Sequence, residues 1–165
     1  MACSYSAELQ KNKDIQMITI RELNGNDFGG FLHLMQGFYQ YAGEKDFDRT
    51  SIETLFRKLV DPASNFVCVA ALTGTKMIGM CSLTFGESSY KAAPFAWADD
   101  LYVETAYRQQ GIAGLLLQRV KQIACERNCS NILLGVGITE DHLQAFYKRN
   151  GFKEMPCKLF TLPLT

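Results

Sequence analysis

The chain is 165 residues long, with 17 basic and 17 acidic side chains, 47% hydrophobic residues and 21% charged ones. That length fits one domain able to bury roughly two-thirds of its accessible surface. The even charge balance, with no Lys/Arg cluster, argues against a nucleic-acid surface, which needs a basic excess on at least one face. It leaves room for a locally acidic pocket that receives a cation.

In chain order, residues 1–15 read as a flexible lead-in and 16–165 as a single domain. The opening MACSYSAELQKNKD has no apolar run, so neither a secretory signal nor an anchor is expected there. Elsewhere no stretch approaches the roughly 18 to 20 apolar residues of a membrane span. A cytoplasmic protein that does not engage membranes is the expectation. QMITIREL (16–23) has β-branched alternation and predicts a strand. Asn24 to Asp27 supply turn and cap chemistry, and Phe31, Leu32, Met35, Phe38 and Tyr39 then recur at helical spacing. Residues 40–50 are polar and loop-like, with Thr50 or Ser51 as the expected cap of a short helix through Leu59.

NFVCVAAL (65–72) and MIGMCSLTFG (77–86) flank Thr73-Gly74-Thr75 and predict a hairpin. A loop at 87–94 leads to a strand over 95–103. ETAYRQQG then turns into a helix whose Ala113, Leu116, Leu117, Val120, Ile123 and Ala124 form one stripe, ending near Asn128. NILLGVGI (131–138) predicts a strand, 140–150 a helix with Gly151 at its C-terminal cap, and the CKLFTLPLT tail one or two closing strands. The order predicts an α/β (α+β) domain with one mixed, mostly antiparallel central sheet and helices on both faces.

The six cysteines lack the CxxC pairs that zinc sites favour, and His33 and His142 are isolated, so no metal site is expected. The sharpest feature is Arg108-Gln109-Gln110-Gly111-Ile112-Ala113-Gly114, between a strand and an amphipathic helix. A helix start offers unpaired N–H groups and a partial positive charge, and residues without bulky side chains let a diphosphate approach that backbone. Arg108 adds a guanidinium suited to phosphate. The spacing matches neither GxGxxG nor a P-loop. Tight packing of helix on sheet remains the plain structural reading of the same residues.

Arg108 to Ala113 resembles the Q/R-x-x-G-x-G/A signature of the GNAT N-acetyltransferases. The Leu101-Tyr102-Val103 strand end is also similar to the family, and AFYKRNGF (145–152) resembles its A-x-F-Y-x-x-x-G-F helix end, less one spacer residue. Family members often carry Asn where this chain has Glu140, which reads equally well as an acid complementing the helix dipole. The resemblance implies a GNAT-like fold and an acetyl-CoA-dependent transfer to an amine of a small molecule or peptide, without an acyl-enzyme. It places acetyl-CoA between strands 98–103 and 131–137, with its diphosphate on 108–114 and its pantetheine and acetyl group along Leu101, Tyr102 and Val103. It also implies that Tyr147 gives a proton to the thiolate.

Strand alternation predicts Trp97, Asp99, Leu101 and Val103 on one side, and Asp100 on the other unless a bulge intervenes. The resemblance places polar groups of the catalytic site at Trp97 and Asp99, which makes Asp99 the candidate base, acting through water; N–H groups near Val103 are the expected oxyanion donors. The acidic pair is equally able to serve only as an attractor of cations. The resemblance implies that residues 27–60 and 86–95 shape the acceptor pocket, and a homodimer is left open. A catalytically silent acyl-CoA-binding module is the alternative reading.

Overall fold

The structure, a computed structural model, describes residues 18–164. The lead-in 1–15 and the first residues of the opening strand lie outside them. The described chain forms two compact units, divided between Leu134 and Gly135.

The first unit is a five-stranded sheet in the order β1-β2-β3-β4-β5, with β1 at Ile18–Glu22, β2 at Phe66–Thr73, β3 at Lys76–Ser88, β4 at Ala93–Val103 and β5 at Ile132–Leu133. Every neighbouring pair is antiparallel except β4 and β5. The β2–β3 hairpin turns at Gly74-Thr75, where Gly74 takes a φ of 57° that a side chain would resist. Helix α1 (Phe28–Ala42) buries Phe31, Leu34 and Met35, and α2 (Arg49–Leu59) buries Ile52, Phe56 and Leu59, both at helical spacing. These side chains share a core with Met80 of β3 and Tyr102 of β4. Burial of one such residue contributes about 1.5–3 kcal/mol. Gly79 and Val103, the neighbouring pair on the same strands, look the other way. A Cβ added at Gly79 would lie 3.4 Å from Leu116 of α3 (Ile112–Glu126). Helices therefore cover both faces, as expected.

Local chemistry corrects several boundaries. The cap of α2 is Asp48, whose carboxylate accepts from the Thr50 and Ser51 N–H groups, rather than either of those residues. The strand expected over 131–138 is paired only at Ala96–Ile132 and Trp97–Leu133. Gly135 and Gly137 follow at once, and glycine weakens a strand by lacking a side chain to pack.

The second unit contains α4 (Asp141–Arg149). It closes with Gly151 at φ 87°, whose N–H bonds to Lys148 O while the Phe152 N–H reaches back to Tyr147 O. Gly151 thus stands one residue beyond the cap, Asn150, in the left-handed position that glycine fills most readily. Residues 152–164 form no strand, against the expectation of closing strands.

Candidate active site

The turn between β4 and α3 is anchored at both ends. At its start Glu104 accepts a hydrogen bond from Lys76 Nζ and pairs with His33 Nε2, each at 2.7 Å, with only 13% of its side chain exposed. The hydrogen bond to Glu104 raises the Lys76 pKa above its ordinary value. These groups border a polar cleft of about 400 Å³, which Gln36, Gln40 and the Thr105-Ala106 turn also line. At the other end Gln109 and Gly111 take φ values of 61° and 81°. Gly111 is the N-cap of α3, with no side-chain cap, and its carbonyl accepts the first helical bond, from the Leu115 N–H. The N–H groups of Ile112, Ala113 and Gly114 therefore precede the helix's own hydrogen-bond ladder. A Cβ built on Gly111 meets nothing within 4 Å, so the approach is open. An anion such as a diphosphate fits this helix start.

Arg108 is already engaged. Its Nε donates to Val103 O at 2.9 Å, and its Cζ lies 4.6 Å from the Tyr41 ring and 5.6 Å from the Tyr102 ring. The Glu104 N–H bonds to Ile78 O on β3, so strand alternation turns the N–H groups of Leu101 and Val103 to the opposite edge of β4. That edge is paired with β5 only at Ala96 and Trp97. Leu101 and Val103 thus present donors along an edge that no strand of the described residues pairs, whereas Tyr102 turns its backbone to β3 and its ring to α1.

The acidic pair departs from simple alternation. On β3 only Ser82 lies between Cys81 and Leu83, while their partners Leu101 and Ala98 on β4 have both Asp99 and Asp100 between them. This β-bulge shifts the phase of β4 by one residue. Thr84 Oγ1 donates to Asp99 Oδ2 at 2.6 Å, and Ser82 Oγ donates to Asp100 Oδ2 at 3.2 Å. Ser82 and Thr84 are two apart on β3, so both carboxylates share the face that carries Met80 and Tyr102. The expectation that Trp97, Asp99, Leu101 and Val103 share one side is overturned: Trp97 and Asp99 lie on the α1 face, Leu101 and Val103 on the α3 face. Burial pushes the Asp100 carboxyl above the usual carboxylate range, the Ser82 hydrogen bond opposes that rise, and the charge of Asp99 adds to it. Ser82 and Thr84 were missed in the sequence, where two small hydroxyls in a buried run read as ordinary strand residues. Only the cross-strand register shows what they hold.

In the second unit Tyr147 lies on α4, its ring packed edge-on against Phe146 at 5.2 Å and near-perpendicular to Phe152 at 5.5 Å. Glu140 is the N-cap of α4 but makes no side-chain cap bond; its carbonyl accepts the Leu143 and Gln144 N–H groups. Among the described cysteines, Cys68 and Cys81 are buried, and burial raises both thiols, Cys81 to about 12. Neither is a ready nucleophile. No group of three or more potential metal ligands occurs among the described residues, and no described helix is long and apolar enough to cross a membrane.

A profile described as the acetyltransferase (GNAT) family matches residues 30–152. The chain belongs to the GNAT acetyltransferase family. Within it, the chain is similar to the thialysine N-epsilon-acetyltransferases of Bos taurus and Sus scrofa, each 25% identical over 146 residues, covering 84% of this chain and 85% of the relative. An aminoglycoside acetyltransferase from an uncultured soil metagenomic sample, solved in complex with trehalose, superposes with a TM-score of 0.80. It is 26% identical and covers 91% of this chain and 98% of its own. AAC(6')-Iy, solved with a CoA-linked bisubstrate analogue, shares the fold at a TM-score of 0.76 and 15% identity over 90% of this chain and 99% of its own. Membership in the GNAT family, with N-acetyltransferases as relatives, makes this chain an acyltransferase.

Proposed function

We propose that this GNAT protein is an acetyl-CoA-dependent N-acetyltransferase whose acceptor is a cationic primary amine on a small molecule. The observation that carries the reading is the paired placement of Asp99 and Asp100 by the bulge, on the sheet face opposite α3. Two carboxylates held together attract an ammonium group and offer it a proton acceptor. The named relatives, one class acting on thialysine and another on aminoglycosides, support an amine acceptor.

When bound, acetyl-CoA supplies an acetyl group activated as a thioester. In the proposed mechanism the N–H groups of Ile112, Ala113 and Gly114 hold the diphosphate, helped by the positive end of the α3 dipole. The unpaired N–H groups of Leu101 and Val103 oppose negative charge on the acetyl oxygen. Asp99, fixed by Thr84, takes the ammonium proton, through water if the amine stands back from it. Tyr147 keeps its proton for the departing thiolate, a role supported by the family motif around it. Direct transfer to the amine completes the proposal, and burial raises the two core thiols, Cys68 and Cys81, away from reactivity.

The test is thiol release from acetyl-CoA in the presence of lysine, thialysine, a polyamine, an aminoglycoside and short peptides, with products weighed by mass spectrometry. Acceptor-dependent release with a cationic small amine is expected. In the same assay Tyr147→Phe should lower turnover roughly tenfold to a hundredfold, while acetyl-CoA affinity changes little. Acetyl-CoA binding without release for any acceptor would instead mark a silent binding module.

A further inference from the structure

Tyr41 stands in the last turn of α1, 55% exposed, where it contributes little to the core. Its ring nevertheless faces the Arg108 guanidinium, with the Tyr102 ring 6.4 Å from its own. Arg108 is thus held by two aromatic rings and by the Val103 carbonyl. Both rings depend on how closely α1 approaches β4: a Cβ added at Gly37 would lie 2.6 Å from the Tyr102 hydroxyl. Arginine is always charged, and its delocalised plane suits an aromatic face. An unheld arginine side chain must lose its rotamer freedom when a ligand arrives, whereas one already fixed does not.

We propose that Tyr41 is a positioning residue for the cofactor turn: its ring holds Arg108, and through it the 103–111 backbone, in the form that receives a diphosphate. This rests on the reading that acetyl-CoA binds at 108–114. The interaction needs a π-face but no hydroxyl. Tyr41→Phe should therefore keep the wild-type acetyl-CoA Kd within about twofold, while Tyr41→Leu, similar in bulk but without a ring, should raise it roughly threefold to tenfold.

Calorimetric titrations of both variants, repeated in an Arg108→Ala background, form the test, with thermal melts to confirm folding. The expected result is that Tyr41→Leu has no further effect once Arg108 is gone. The proposal is overturned if folded Tyr41→Leu binds like wild type, or if its loss is the same without Arg108. Gly111→Val, measured alongside, separates the two levels. If it weakens binding while Tyr41→Leu does not, the brace alone fails and the cofactor turn stands. If Gly111→Val has no effect either, the turn is not the cofactor site and this proposal falls with it.

Discussion

The proposed cofactor turn and the acidic pair both depend on β4, yet they are built from opposite parts of the chain. The turn is backbone: N–H groups at the start of α3, a left-handed Gly111 and the open edge at Leu101 and Val103. The acidic pair is side chain, and its direction depends on a bulge that places Asp99 and Asp100 opposite Ser82 alone. A backbone site depends on small residues and on position in an element, so it tolerates most side-chain changes. A side-chain site on a strand depends on phase, and one inserted residue redirects it.

Removing the charge of Asp99 tests the side-chain site and carries the largest expected effect. Asp99→Asn should lower kcat/KM for the acceptor about a hundredfold near neutral pH, at the low end of general base catalysis. The deficit should shrink as pH rises and more amine is already neutral. A pH–rate series decides it, because an equal loss at every pH would point to a structural role for Asp99 or to substrate attraction and not to a base.

Gly111→Val challenges the backbone site with a smaller effect. A β-branched residue at a φ of 81° is strained and puts methyl groups where the diphosphate must approach. The acetyl-CoA Kd should rise at least about tenfold, or about 1.4 kcal/mol. Gly111→Asn should be milder, since Asn tolerates the left-handed region. Equal affinities for all three proteins by calorimetry would remove the turn from the cofactor site.

The smallest effect sharpens the contrast through stability. Folding raises the Asp100 carboxyl above its ordinary value of 3.8, so the folded state binds more protons in the window above it. Stability therefore falls as pH rises through that window, and near neutral pH the ionised Asp100 is a cost. Asp100→Asn, able to keep the Ser82 hydrogen bond, should be more stable at pH 7 by on the order of 1 kcal/mol, about 2–4 °C in Tm. The gain should vanish once acidification protonates Asp100. A melting series that shows no gain at pH 7, or the same gain at acid pH, would deny that Asp100 is held against burial.

Much of the chain was legible because the signals are local. The α3 stripe, the hairpin around Gly74 and the left-handed Gly151 each follow from spacing or from a backbone angle that few residues adopt. The same local logic misled at α2, where three polar residues compete for one cap and geometry selected Asp48. It misled again at 131–138, where an apolar run reads as a long strand but pairs at only two positions. A strand is a relation between segments, and apolar composition does not report whether a partner lies alongside.

The sequence by itself determined the family, the order of elements through α4 and the helix start at 108–114 where the cofactor is proposed to bind, because small residues at a helix start after a strand carry their geometry with them. Only the tertiary structure decided that Asp99 and Asp100 share a face, that Ser82 and Thr84 hold them, and that Arg108 lies against Tyr41 and Tyr102. Those facts depend on the register of β3 against β4 and on the course of α1 across the sheet. Register is set by packing summed over whole strands, and no window of residues contains it.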